Sequence, residues 1–330
     1  MEWKIGTVRV QSPLALAPMA GYTDMPLRVC LRALGGLGMG VTELVNARSL
    51  LALNPKALHL MATCSEDKPL GVQLFGGLAE DMRDAARFLE RCGADWIDIN
   101  MGCPAPKVHR CGGGATLMKD EKRGEEIVRA VVQAVSIPVT VKMRLGWDNL
   151  SAHLLAPRLE AMGVAAIAVH GRTRQQGYSG KADWEGVRAV VQSVKIPVIG
   201  NSDVRTPQDV SRMIHETGCA AVMAGRVVLH DPFFFRRADH FLKTGEMLPM
   251  ESWEEKAALM HRYFFASVRF HGEKTACLRF RKIIAVYSRG FPEKEKWREG
   301  MRHLNSVEDY LAIVRRLAPQ TLEECVQNYS

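Results

Sequence analysis

Short apolar runs separated by helix-length amphipathic segments recur from residue 14 to residue 224. The runs cover residues 14–17, 39–43, 70–75, 96–101, 139–143, 165–170, 198–201 and 220–224. They show little polar alternation, which suits parallel strands covered on both faces. Between them, residues 81–92, 124–134, 154–162, 184–193 and 207–216 carry apolar positions at helical spacing. Strand then helix, repeated, predicts βα units and a parallel sheet. The punctuation agrees. Val135-Ser-Ile-Pro-Val-Thr-Val and Val194-Lys-Ile-Pro-Val-Ile-Gly place a proline at a strand entry, where a missing N–H costs least. Gly93, Gly163 and Gly218 each follow a helical segment and precede a strand, as helix C-caps do. Eight such strands, with no G-x-G-x-x-G after the first, predict a closed (β/α)8 TIM barrel rather than an open Rossmann sheet.

The pattern changes near Lys243-Thr-Gly-Glu-Met-Leu-Pro. Residues 251–327 show helical periodicity and little strand signal, and Phe280, Ile283, Ile284 and Tyr287 form one apolar stripe. The expected architecture is α/β: a barrel over residues 1–245, then a small C-terminal helical bundle over 246–330.

The length of 330 residues accommodates both parts, and 47% apolar residues supply a sizeable core. No apolar run reaches membrane-spanning length, and Met1-Glu2-Trp3-Lys4 lacks a signal-peptide pattern. A soluble cytoplasmic monomer is expected. Eight cysteines without a C-x-x-C pair read as reduced thiols. The spacing of Cys103, His109 and Cys111 is not that of a zinc site, so no metal is expected. A net charge of +8 favours a polyanionic partner. The excess is local: residues 269–302 hold ten Lys/Arg against four Asp/Glu, interleaved with Phe270, Phe280, Tyr287, Phe291 and Trp297.

Chemistry in a TIM barrel is done at the carboxyl ends of the strands. There the first strand gives the stiff turn Ala17-Pro18-Met19-Ala20-Gly21, able to lie against a flat ligand. The third carries Gln73. The fourth delivers Asn100 and, in a glycine-proline turn, Cys103. The fifth delivers Lys142 and Arg144, and the sixth His170, Arg172 and Arg174. The seventh ends in Asn201-Ser202-Asp203 and the eighth in Gly225-Arg226. The loops after the last two strands commonly bind a phosphate. Lys142, costly in hydrocarbon, makes sense beside an anion such as a reduced flavin. Taken singly, Gln73, Cys103 and His170 also read as interior fillers. Their convergence on one rim favours an active site.

These motifs resemble the tRNA-dihydrouridine synthases, with the bacterial B-type branch the nearest match. The resemblance rests on Ala17-Pro-Met-Ala-Gly-Tyr-Thr-Asp, Asp98-Ile-Asn-Met-Gly-Cys-Pro, Val141-Lys-Met-Arg, Val169-His-Gly-Arg-Thr-Arg, Asn201-x-Asp203, Ala224-Gly-Arg and, in the tail, Arg279-Phe-Arg-Lys. It implies an enzyme with tightly bound FMN that reduces the C5=C6 bond of uridines in tRNA at the expense of NADPH. Hydride would pass from FMN to C6 and a proton from Cys103 to C5. By motif position, Pro18, Met19, Ala20, Gln73, Lys142, His170, Asn201, Ser202, Asp203, Gly225 and Arg226 would hold FMN. Asn100, Arg144, Arg172 and Arg174 would sit by the base, while Arg279, Arg281 and Lys282 bind tRNA. Two departures stand out: Ser202 replaces the family's usual glycine, and Val108-His-Arg-Cys-Gly-Gly-Gly is unusual beside the catalytic loop. Competing readings are a flavin reductase of small pyrimidines or dihydroorotate, and a non-catalytic RNA-binding module.

Overall fold

The computed structural model describes residues 3–321. The chain opens with an antiparallel hairpin, β1 (Trp3–Ile5) and β2 (Val8–Val10). Nine parallel strands follow: β3 (Leu14–Leu16), β4 (Met39–Val41), β5 (Val45–Asn46), β6 (Leu70–Phe75), β7 (Trp96–Met101), β8 (Val139–Arg144), β9 (Ala166–His170), β10 (Val198–Asn201) and β11 (Ala221–Ala224). Their order is β4-β3-β11-β10-β9-β8-β7-β6, and β6 pairs back to β4, so the sheet closes. β5 continues the path of β4 along β6.

The expected barrel is therefore present, and the strand boundaries agree to within a residue or two except at the second run. That run breaks after Val41: the Thr42 N–H still donates to Gly71 O at 2.9 Å, but the next ladder bond goes to the Thr42 hydroxyl rather than to a carbonyl. Thr42 Oγ1 accepts from Gln73 N at 3.0 Å and donates to Glu43 O at 2.9 Å. The hairpin was not expected; three-residue strands are too short to carry a periodic signal. Ile5 and Val10 are fully buried, and the hairpin's Gly6, at a φ of 55°, packs on Pro138 at the entry to β8.

Alternation in a strand sends every second residue inward. In the lower barrel those residues are Ala15, Met39, Trp96, Ala166, Ile199, Ala221 and Met223, one apolar cluster. Trp96 fills the axis, and room for it comes from Gly71, where a Cβ would lie 2.2 Å from the indole nitrogen. The outward set, including Val72, Ile97, Ile99, Val141 and Val169, packs under the surrounding helices. Above the apolar plug the inward positions turn polar: Gln73, Asp98, Asn100, Thr140, Lys142, His170 and Asn201.

Four helices, Trp253–His271, Glu273–Tyr287, Lys294–Arg302 and Val307–Leu317, form the C-terminal bundle. Residues 322–330 of the expected second unit lie outside the described residues. Phe280, Ile284 and Tyr287 of the anticipated stripe are buried. Phe264 stacks on Tyr310 with centroids 3.9 Å apart, and this aromatic core is continuous with Leu14, Leu27 and Val228 of the barrel. Phe280, Phe291 and Trp297, interleaved with the basic residues in sequence, are thus core residues.

A buried ion pair ties the loops on the first side of the barrel. Arg28, 1% exposed, meets Asp67, 0% exposed, at 2.7 Å, and also donates to Thr23 O and Ala62 O. Removing one partner strands the other in a dry interior. Asp67→Ala is expected to destabilise the fold by about 3–5 kcal/mol, measurable by denaturant unfolding.

Candidate active site

A cleft of about 1620 Å³ opens at the C-terminal mouth of the barrel and runs onto the helical bundle. Its lining includes Pro18, Met19, Ala20, Gln73, Asn100, Cys103, Lys142, Arg144, His170, Asn201, Ser202, Asp203, Gly225, Arg226, Arg279 and Lys282. Sixteen of the residues anticipated from sequence thus converge on one space. Arg172, Arg174 and Arg281 do not.

Cys103 is partly exposed, in a turn gripped on both sides. Its N–H donates to Asn100 Oδ1 at 2.9 Å, and its carbonyl accepts from Ala115 N at 3.0 Å. His109 Nε2 lies 3.1 Å from the same carbonyl. The unusual run over residues 108–114 has a steric reason. A Cβ on Gly114, whose φ is 65°, would meet Cys103 O at 2.7 Å; one on Gly113 would meet Gly76 O at 2.9 Å; one on Gly77 would meet Cys111 O at 2.3 Å. Two glycine stretches meet backbone to backbone and leave no room for side chains. Cys111 is exposed and its thiol lies 3.5 Å from Lys107 O. No group of metal-ligating side chains occurs among the described residues.

The barrel mouth is electropositive. Lys142 Nζ donates to Asn201 Oδ1 at 3.0 Å, and Asn201 Nδ2 donates to Met223 O at 2.7 Å, which fixes the asparagine amide. Burial lowers the Lys142 pKa to about 8, with Asp98 opposing that fall and Arg144 adding to it. His170 is held neutral: burial first, then the charges of Lys142, Arg144, Arg172 and Arg226, push its pKa down to about 2. Its Nδ1 is buried without a hydrogen-bond partner. An orphaned ring nitrogen of this kind beside a lysine and flanked by an arginine fits a flat, acceptor-bearing ring with an anionic substituent.

The turn above the first strand is closed by its own contacts. Met19 N donates to Thr23 Oγ1 at 2.8 Å, and Gly21 N donates to Glu43 Oε2 at 2.5 Å. Asp24 then caps the helix Met25–Leu34 and accepts from Arg279 at 2.6 Å and from His271 Nε2 at 2.7 Å. Arg279 is thus at once part of the cleft wall and a strut between barrel and bundle.

The three arginines outside the cleft are used by the protein itself. Arg172, 2% exposed, binds Asp203, Ser179 O and Gly180 O. Arg174 lies over Trp147 at 4.8 Å. Arg281 donates to Leu304 O at 2.9 Å and Asn305 Oδ1 at 2.6 Å. Arg144 lines the cleft, yet its guanidinium braces two loops through Gly102 O, Thr173 O and Gly177 O. Sequence reasoning missed two exposed cations at the mouth, Arg205 and Arg289. Arg205 follows the Asn201-Ser-Asp turn closely, and Arg289 stands seven residues beyond Lys282, so both had a positional signal. Tyr178 was missed too. It is 59% exposed, with its ring 5.0 Å from the Arg226 guanidinium and edge-on to His170.

Ser202, at a φ of 132°, occupies backbone space that favours glycine, and Asp203 follows at 52°. Strain there costs about 1–3 kcal/mol. Against it, Ser202 Oγ accepts from Gly171 N at 3.1 Å, a bond of about 0.5–1.5 kcal/mol. Glycine would relieve the strain but lose that bond and gain chain entropy when unfolded, worth about 0.5–1 kcal/mol. Since Gly171 N also donates to Asn201 O, nothing is left unpaired. Ser202→Gly is therefore expected to change unfolding free energy by less than about 1 kcal/mol.

Residues 15–325 match the family model described as Dihydrouridine synthase (Dus). The chain is 38% identical over 318 residues to a "Probable tRNA-dihydrouridine synthase" of Rickettsia conorii, covering 96% of this chain and 95% of that protein. It is 38% identical over 315 residues to "tRNA-dihydrouridine synthase B" of Pseudomonas aeruginosa, covering 95% of each. Among solved structures, histamine dehydrogenase from Rhizobium sp. 4-9 aligns with a TM-score of 0.58 at 14% identity, over 82% of this chain and 50% of that one. Morphinone reductase in complex with tetrahydroNAD aligns at 0.52 and 12% identity, over 76% of this chain and 92% of that one. At such identities the likeness shows the barrel fold alone.

Proposed function

Because this chain belongs to the dihydrouridine synthase family, and is an oxidoreductase by that membership, we propose that it reduces uridine in tRNA to dihydrouridine with FMN as cofactor and NADPH as reductant. The observation that carries the reading is the single cleft in which Cys103 stands among Gln73, Asn100, Lys142 and His170 while the same wall continues to the cations of the bundle. In this reading the barrel, residues 1–245, does the chemistry and the bundle, residues 246–330, holds the RNA.

The chemistry that FMN would supply when bound and reduced is hydride for C6 of the uracil ring. The protein does the rest. Pro18, Met19 and Ala20 lie along one wall, where a stiff turn can flank the flavin. Gln73 and Lys142, which line the cleft from the strand ends, would hold it there, and Lys142 would bring positive charge to an anionic ring. The turn Asn201–Asp203 with Gly225 and Arg226 takes the phosphate. Asn100 holds the base. Cys103 holds the proton for C5, delivered from the face opposite the hydride. A thiol suits that role because C5 gains carbanion character as C6 takes hydride.

A uracil inside folded RNA must leave its stack to enter, at a cost of roughly a few kcal/mol. Phosphate contacts offset it and fade with salt. The exposed cations Arg205, Lys282 and Arg289 at the cleft edge would do that work. Arg281 contributes indirectly, by bracing the bundle helix that carries Lys282.

Two outcomes test the reading. A yellow protein that forms dihydrouridine in tRNA should lose about 10²- to 10⁴-fold in turnover on Cys103→Ala, with its flavin retained, as assayed by single-turnover reoxidation of the reduced enzyme with tRNA. The pair Lys282→Glu and Arg289→Glu should raise the KM for tRNA by about tenfold or more at low salt and leave FMN content unchanged, as measured by steady-state kinetics. Equal activity on free uracil or orotate without tRNA would instead favour a small-molecule reductase.

A further inference from the structure

Asp98 lies below the floor of the cleft, 3% exposed and above the hydrocarbon plug of the barrel. Both of its oxygens are engaged: Oδ1 accepts from Thr140 Oγ1 at 2.6 Å and Oδ2 accepts from Gln73 Nε2 at 2.5 Å. From Gln73 the contacts climb toward the thiol. Asn100 Nδ2 donates to Gln73 Oε1 at 2.8 Å, and Asn100 Oδ1 accepts from the N–H groups of Gly102 at 3.2 Å and Cys103 at 2.9 Å.

The direction of this chain is determined at both ends. An ionised carboxylate only accepts, so it turns the amino group of Gln73 toward itself. The carbonyl of Gln73 then faces Asn100, whose amino group must face back. Asn100 is left presenting its carbonyl to the turn, where two backbone N–H groups can only donate. Neither amide can flip alone without setting donor against donor and leaving buried polar groups unpaired.

We propose that Asp98 is a positioning residue, which sets the donor–acceptor order of Gln73 and Asn100 and through them holds the turn that presents Cys103. A consequence follows for the ligand. The amino groups of Gln73 and Asn100 each keep one hydrogen that the chain does not use, and both side chains line the cleft. The amides therefore offer donors to it, which suits a ring edged with carbonyls. The inference rests on Cys103 being the proton donor of the proposed reaction.

The test compares Asp98→Ala with Asp98→Asn. Asparagine preserves the order, since its carbonyl can accept from Gln73 while its amino group donates to Thr140 Oγ1. Alanine cannot. With FMN occupancy matched to the parent, Asp98→Ala is expected to slow tRNA reduction at saturating tRNA by about 10- to 100-fold, with KM within about threefold. Asp98→Asn should stay near the parent. In the purified chains, iodoacetamide should alkylate Cys103 faster in Asp98→Ala, relative to Cys111 in the same molecules, when read by peptide mass spectrometry. Asp98→Asn should keep the parental ratio. Equal losses in the two variants, or parental rate and alkylation in Asp98→Ala, overturn the proposal. Should the alanine variant not fold, Asp98→Leu combined with Thr140→Val removes the acceptor for Gln73 at similar volume and leaves no hydroxyl unpaired. That variant must then show the slow rate and the fast alkylation, and parental values in it count against Asp98. An active parent with an indifferent Asp98→Ala sinks this inference alone, whereas a parent that never reduces tRNA sinks the functional reading.

Discussion

The inward parity of eight parallel strands governs this molecule. Once the sheet closes, every second side chain must fit a space of fixed width. Trp96 takes the centre of the lower half, and Gly71, Ala15, Ala166 and Ala221 are small where the indole and its neighbours need room. With hydrocarbon sealing the lower end, the polar inward residues have one place to go, the upper mouth. Gln73, Asn100, Lys142, His170 and Asn201 are neighbours because they are inward positions in the carboxyl-terminal halves of their strands.

Concentrating polar groups above a dry plug has electrostatic consequences. Lys142 and His170 are both pushed toward their neutral forms by burial, and Asp98 is the acidic counterweight among them. Burial pushes Asp98 toward protonation as well, and the hydrogen bonds from Gln73 and Thr140 and the charge of Lys142 pull the other way. The mouth thus gathers a lysine, a neutral histidine and two amides over one buried carboxylate. The glycines around Cys103 extend the same economy to the loops, where close backbone contact fixes the thiol's turn.

Much of this was legible in the linear chain. Proline at strand entries, glycine after helices and apolar runs of limited length gave the eight barrel strands and the strand-free tail. Strand ends gave the cleft residues, because position at a carboxyl end follows from local periodicity alone. The hairpin was not legible: strands of three residues carry no period. The break after Val41 was hidden because it depends on Thr42 reaching across to Gln73 N, a contact between distant segments.

The sequence alone determined the barrel, the rim residues that line its cleft and the cysteine in its turn, since each is written in short-range pattern. Tertiary structure alone decided the use of the long cationic side chains. Arg172, Arg174 and Arg281 looked like RNA ligands, but folding surrounds them with a carboxylate, carbonyls and an indole. Arg205 and Arg289 are instead left exposed at the mouth. An arginine's reach spans several possible partners, so its role depends on which loops arrive beside it. A strand's inward residue has no such freedom.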